Sequence, residues 1–317
     1  MYNNGKMNVL IIGGAGFLGS HLVERCLKEG YRIFLIDNLS SGKIENLPKE
    51  IMNQYSRYDN PTIFLYSQGD VKTFDFFGSF EDKIDVIFYL ATKPGIPSVV
   101  QASIDNPRPF NEDNVGGFLN MLDYARRKNI PVVFSSSSAV YGDGTLPTTE
   151  RANLNPISPY ALQKLICEQY LELFNKIYGL KSVALRYFNL YGERQPDGGT
   201  YALVIGKFMK AHKAGKPFIS VGDNQQRRDF VYVKDVVDAN IKAAEYVLSG
   251  KDFEVFNIGS GVNYSVQEIA DMVTKGKTKW GELLPARFEP KVTLADCSKA
   301  EKMLGWKAKT TLKEWFQ

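Results

Sequence analysis

The chain has 317 residues, 44% of them hydrophobic and 23% charged, enough for about two domains or one large α/β domain with an appendage. Its 39 basic and 35 acidic residues are mixed along the chain, and the net charge of +4 gives no polybasic tail and no case for nucleic acid. No apolar run approaches the roughly 20 residues of a membrane span, so no membrane partner is expected.

In chain order, "MNVLIIGGAG" (7–16) reads as a short apolar strand running into glycines. "GSHLVERCLKEG" (19–30) has helical spacing, with Leu22, Val23, Cys26 and Leu27 on one face and Gly30 as a stop. "YRIFLIDNL" (31–39), "TIFLYSQGD" (62–70), "DVIFYLAT" (85–92) and "IPVVFSSSS" (130–138) read as further strands. Helical stretches lie between them, notably "NVGGFLNMLDYARRKN" (114–129). A longer helix follows over 158–179, then one strand, "KSVALRYFNLYG" (181–192). Continuous apolar strands alternating with helices predict a doubly wound parallel sheet covered on both faces. From about 193 the chain is richer in turns ("PDGGT", "KAGKP", "VGDN"), which predicts a smaller α+β domain near the carboxyl ends of the strands.

Cys26, Cys167 and Cys297 are odd in number and widely spaced, so no disulfide framework is expected and a reducing, cytoplasmic setting is. His21 and His212 are the only histidines, which argues against a His-based metal site or a Ser–His–Asp triad; no metal is expected.

Gly13, Gly16 and Gly19 form G-x-x-G-x-x-G between a strand and a helix. Glycine permits the tight turn and lets a pyrophosphate approach the backbone. The helix N-terminus then offers unpaired N–H groups and a positive dipole end to the phosphates. Asp37 closes the second strand about 20 residues further on, where a carboxylate accepts from the adenosine ribose hydroxyls. With no arginine beside Asp37 the pattern favours NAD over NADP, although Lys43 is near. The fold expected is therefore a Rossmann-type doubly wound sheet, with the NAD domain over 1–185. Segments around 229–258 are expected to return to it, and the remainder of 186–317 to bind substrate.

"SPYALQKL" places Tyr160 and Lys164 four apart, on one helix face. Alone, such a pair usually means a solvated face. Beside a dinucleotide, an ammonium stabilises the phenolate of a tyrosine whose free pKa is about 10. The tyrosine can then take a hydroxyl proton as hydride leaves carbon.

These residues resemble the extended short-chain dehydrogenase/reductase family, and within it the NAD-dependent nucleotide-sugar epimerases and dehydratases. "GGAGFLGSHLVERCLKEG", "NVGGFLNML", "FSSSSAVYG", "SPYALQKL", "RYFNLYGERQ" and "GDNQQRRDFVYVKDVVDA" fall in the family order. The resemblance implies an NAD site of Gly13, Gly16, Phe17, Leu18, Asp37, Asn38, Ser41, Asp70, Val71, Ala91, Asn114, Tyr160 and Lys164. Asp70 and Val71 would flank the adenine. Ser137, four before the tyrosine of "VYG", matches the catalytic Ser/Thr. Asn189, Arg228 and Arg287 match contacts to the nucleotide diphosphate, where a guanidinium fork grips phosphate oxygens in pairs. Phe218 could stack on the base or belong to the core. Arg228 beside Asp229 could instead be a structural ion pair. Tyr89 stands where relatives often carry histidine, and "TKPGIPSVV" (92–100) is prolyl where they often carry a charge. The helices at 114–129 and 158–179 resemble the pair that forms a four-helix homodimer interface in the family.

The resemblance implies a shared first step. Tyr160 takes the proton of the sugar 4-hydroxyl while Ser137 hydrogen-bonds its oxygen. Dehydratase relatives carry an Asp–Glu pair directly after the catalytic Ser/Thr, and the related decarboxylases a glutamate; here Ser138–Ala139 follows. Alanine cannot move a proton. The reading is therefore an NAD-dependent 4-epimerase of nucleotide-diphosphate sugars. A dehydrogenase or 4-ketoreductase on the same site is the alternative, a dehydratase less so, and a non-enzymatic NAD(P) sensor last.

Overall fold

The computed structural model describes residues 7–52, 63–66, 69–80, 83–93, 97–198, 203–284 and 290–317. Six strands come first: β1 (Asn8–Ile12), β2 (Arg32–Ile36), β3 (Ile63–Tyr66), β4 (Val86–Tyr89), β5 (Val132–Ser137) and β6 (Ser182–Tyr187). Then come β7 (Asn189–Tyr191), β8 (Phe218–Val221), β9 (Arg227–Tyr232), β10 (Glu254–Ile258), β11 (Asn263–Ser265) and β12 (Trp280–Leu284). Seven of these form one parallel sheet in the order β10-β6-β5-β4-β1-β2-β3. The order reverses at β1, so a crevice opens at the carboxyl ends of β1 and β4, the position where ligands bind in such sheets.

Alternation along the strands sorts the core into two layers. Val9, Ile11, Ile33, Leu35, Phe88 and Val133 face the helices Phe17–Lys28 and Val233–Leu248. Leu10, Ile12, Phe34, Ile87, Tyr89 and Phe134 face the helices Gly117–Lys128 and Pro159–Tyr178. Both faces are thus dry, which is why these strands read as unbroken apolar runs.

Register fixes the height of each strand end. Ile12 pairs with Ile36 and with Tyr89, so Gly13, Asp37 and Leu90 emerge side by side. Tyr89 pairs with Phe134, and β5 then continues for three residues along β6 to Ser137. At about 3.3 Å per residue the serines rise about 10 Å above the crevice floor. The run of hydroxyls begins where β5 outgrows β4; Ser135 and Ser136 are still buried, and exposure begins at Ser137.

The stretch 181–192, expected as one strand, is two. After Tyr187 the Phe188 N–H donates to the Ile258 carbonyl at 3.0 Å, and Phe188 packs with Val140, Tyr141, Leu165 and Ala295. The chain turns there, and Asn189–Tyr191 pairs with β9 in a separate sheet, β11-β9-β7. A third pair, β12-β8, packs with the helices Val204–Lys213 and Val266–Thr274 around Phe208, Phe218 and Ile269. The helix Val233–Leu248 and β10 return to the main sheet. The loop after β7 is tied to the helix Phe17–Lys28 through His21. Its Nε2 donates to the Glu193 carbonyl at 2.8 Å and its Nδ1 accepts from Arg194 at 2.5 Å. Burial lowers the His21 pKa, which keeps the ring neutral and both bonds intact.

Candidate active site

Gly13 turns the chain out of β1 at φ +89°, a conformation that L side chains rarely adopt. A Cβ there would lie 2.7 Å from the Ala91 N. A Cβ on Gly19 would lie 2.1 Å from the Gly13 carbonyl oxygen, so that glycine lets the helix seat against the loop. Gly16 is the helix N-cap and supplies no side-chain cap, which leaves the first-turn N–H groups facing outward. Phe17 and Leu18 contribute backbone at this end, while their side chains pack into the apolar layers.

Asp37, 9% exposed, accepts from the Ala15 N–H at 2.9 Å through one oxygen and from the Leu39 N–H at 2.8 Å through the other. Burial raises its pKa and the two N–H groups pull it back. Each oxygen keeps a further lone pair for a ligand hydroxyl. Gly13, Gly16, Asp37, Asn38 and Ser41 line a cleft of about 290 Å³. Asp70 and Val71 after β3, and Ala91 after β4 with Asn114, complete the lining. The cradle of glycine backbone, the uncapped helix end and the strand-end carboxylate fit a dinucleotide.

Asn114 lies in a π-helical stretch, Glu112–Gly116, between the helices Pro107–Asn111 and Gly117–Lys128. Such bulges often mark functional sites. Its Oδ1 accepts from the Lys93 N–H at 2.8 Å and the Thr92 hydroxyl at 3.1 Å. Its Nδ2 donates to Gln163 Oε1 at 2.8 Å. Gln163 stands beside Lys164, so this bond carries the cleft across to the Tyr160–Lys164 helix. Nothing in the sequence marked Gln163, because its partner is far away in the chain.

The helix Pro159–Tyr178 starts on Ser158, whose Oγ accepts from the Ala161 N–H at 3.2 Å, with Pro159 in the first turn. Tyr160 is 8% exposed. Lys164 is 3% exposed; its Nζ donates to the Ser135 carbonyl at 2.6 Å and sits 5.9 Å from the centre of the Tyr160 ring. Burial pushes this ammonium down to about 8. Ser136 donates to Glu168, and Glu168 takes a two-pronged bond from Arg186. Both members of that pair are buried. Ser137 caps a single 3-10 turn, Ser138–Tyr141, accepting from the Ala139 N–H at 3.2 Å, and its own proton remains to be donated.

The residues expected at the substrate are spread over separate elements. Asn189 Nδ2 donates to the Asp229 carbonyl at 3.0 Å, joining β7 to β9. Arg228 donates to the Arg227 and Lys291 carbonyls at 3.0 and 3.2 Å. Asp229 is held by the N–H groups of Ser260, Gly261 and Ala295. Phe218 is corrected: it is 2% exposed, stacked on Phe208 at 4.5 Å and edge-on to Trp280 at 6.1 Å. Both ring faces are in the core, so it is no platform for a base. Arg287 lies outside the described residues, as do 94–96 of the prolyl loop. Tyr89 is likewise core, 1% exposed and edge-on to Phe118 at 5.2 Å.

Residues 9–259 match the NAD dependent epimerase/dehydratase family. The chain belongs to that family. A UDP-glucose 4-epimerase of Mycolicibacterium smegmatis is 34% identical over 97% of this chain and 96% of its own. A UDP-glucose 4-epimerase of Thermotoga maritima, solved with UDP-glucose, superposes with a TM-score of 0.85 at 33% identity, covering 98% of this chain and 96% of that one. One from Thermus thermophilus, solved with NAD, gives 0.81 at 30% identity over 98% and 96%. This family member is therefore an enzyme of Rossmann-type fold, with NAD as its cofactor. Among the described residues no helix is long and apolar enough to cross a membrane.

Proposed function

We propose that this enzyme is a 4-epimerase of nucleotide-diphosphate sugars. The observation that carries the reading is the turn after Ser137. Ser138–Tyr141 holds no carboxylate, and the glutamate bonded to the adjacent Ser136 is locked to Arg186. The site therefore offers Tyr160 and Ser137 for the 4-hydroxyl and, in the turn Ser138–Tyr141, no second acid–base pair for removing water. Tyr160 takes the hydroxyl proton, Ser137 donates to the oxygen, and Lys164 supports the phenolate charge. NAD, when bound, supplies the acceptor for the C4 hydride. Epimerisation then needs only that the 4-keto sugar turn over in the pocket, so that C4 would regain its hydride on the opposite face while the same tyrosine returns the proton to the oxygen.

Uridine is the first nucleotide to try, because the similar enzymes are named for UDP-glucose. Asn189, Arg228 and Arg287 are the candidates for its diphosphate. A homodimer is also proposed. Leu162, Leu173 and Ile177 are 48, 46 and 60% exposed on the helix Pro159–Tyr178, an apolar stripe that a partner helix pair would cover. Three free thiols, Cys26, Cys167 and Cys297, suit a cytoplasmic setting. The test is proton NMR of purified protein with UDP- and GDP-sugars. A 4-epimer formed without net change in NADH is expected; a stable keto or reduced sugar would overturn the proposal in favour of a dehydrogenase or reductase.

A further inference from the structure

One carboxylate bridges two walls of the cofactor cleft. Asp113, in the π-helical stretch, takes Lys72 on one oxygen at 2.5 Å and Lys93 on the other. Lys72 belongs to the turn after β3 and Lys93 to the loop after β4. Those strands are three positions apart in the order β4-β1-β2-β3, about 14 Å at the usual spacing. The bridge crosses that gap, and all three of its residues line the cleft.

The same helix grips both walls elsewhere. Asn120 donates to the Val71 and Phe74 carbonyls at 2.8 and 3.1 Å. Gly117 has no Cβ, and one placed there would meet the Val71 side chain at 2.4 Å. Asn114 holds the Lys93 N–H at 2.8 Å. Lys93 also lies 4.9 Å from the centre of the Phe110 ring, which fixes its direction. Burial would raise the Asp113 carboxyl, but the two lysines more than offset it and hold it below the usual range. The bridge is thus charged at neutral pH.

We infer that Asp113 is a positioning residue that fastens the adenosine-side turn, Asp70–Lys72, to the Thr92–Lys93 loop and so slows release of NAD. The inference rests on assigning this cleft to the cofactor. An epimerase gains from such a fastener, because the reduced cofactor must stay in place until the keto sugar has turned. The bridge is half-exposed, with side chains 22–35% accessible, so its effect is modest and screened by salt.

The experiment measures NADH dissociation from the full chain, by chasing bound NADH with excess NAD and following loss of energy transfer from the protein. D113N is expected to release NADH about three- to tenfold faster at low salt. The rise in rate with added NaCl, expected for the unsubstituted chain, should flatten in the variant, and D113E should restore part of both. An unchanged rate overturns the inference. So does a slower one, which would mean that the freed ammonium groups grip the pyrophosphate. If D113N does not fold, the double variant K72M/K93M breaks the same bridge from its other side. D37A separates the two claims: if it too leaves NADH release unchanged, the cleft assignment fails, whereas a faster D37A with an unchanged D113N sinks only the bridge.

Discussion

The floor of the crevice over β1 and β2 is made of glycine backbone and one strand-end carboxylate, whereas the surface proposed for the nucleotide sugar is made of side chains from strands that do not adjoin in sequence. Gly13, Gly16 and Gly19 work by what they lack, and Asp37 works because β2 ends level with β1. Asn189 and Arg228 depend on the pairing of β7 with β9, and Phe218 on that of β8 with β12. A site made of backbone needs particular residues at fixed spacing and leaves a local signature. A site made of convergent side chains leaves none until the pairing is known.

That contrast can be broken most sharply at Tyr160, which stands between the two halves. Tyr160→Phe removes the proton acceptor and leaves the glycine cradle untouched. Turnover should fall about 10³-fold, within the range for losing a general base. Bound NAD, measured by mass spectrometry after release from the purified protein, should be unchanged. Loss of NAD along with activity would mean that the hydroxyl supports the cofactor rather than the reaction. Turnover that survives the substitution would remove the case for an acid–base role altogether.

The next test asks whether the side-chain half contains structural residues mistaken for binding ones. Phe218→Ala should cost about 3–5 kcal/mol of stability, because it empties a stacked pair in the core of the smaller part. Thermal unfolding should report that loss. KM for the nucleotide sugar, measured well below the lowered midpoint, should change little. A raised KM with an unchanged midpoint would return Phe218 to the role of a base platform.

Phe218 also marks where sequence stops being informative. "KPFISVGD" is compatible with a ring that is exposed or buried, and the choice is made by Phe208 and Trp280, which come from other elements. The break between β6 and β7 was hidden for a related reason: Tyr187, Phe188, Leu190 and Tyr191 read as one strand, and a single polar residue among them, Asn189, fits the alternation of a strand, with no glycine or proline to mark the turn. Strands β1, β2, β4 and β5 were legible because burial on both faces forces a continuous apolar segment. Tyr160 and Lys164 were legible because helical spacing alone puts them on one face. Gln163, Glu168 and Arg186 were not, since each acquires its meaning from a partner on another element. Asp113 belongs with them: nothing near "NEDNV" says that Lys72 and Lys93 will meet there.

Lys164 yields the finest test, because its effect on stability and its effect on rate have opposite signs. Its folded value is about 8 against 10.5 for the free side chain, a shift caused by burial. Between those two values the unfolded chain binds more protons, so this group's contribution makes stability rise as pH rises through that window. Catalysis should do the reverse. Above about pH 8 the ammonium that supports the Tyr160 phenolate is lost, and kcat/KM should fall toward tenfold per pH unit. Lys164→Arg keeps a charge at every accessible pH. It should lower the rate at neutral pH by misplacing that charge, while moving the alkaline fall upward. If the variant keeps a fall near pH 8, the titrating group is another residue. The ammonium would then act through its bond to the Ser135 carbonyl, as a brace for β5, rather than through its charge on the tyrosine.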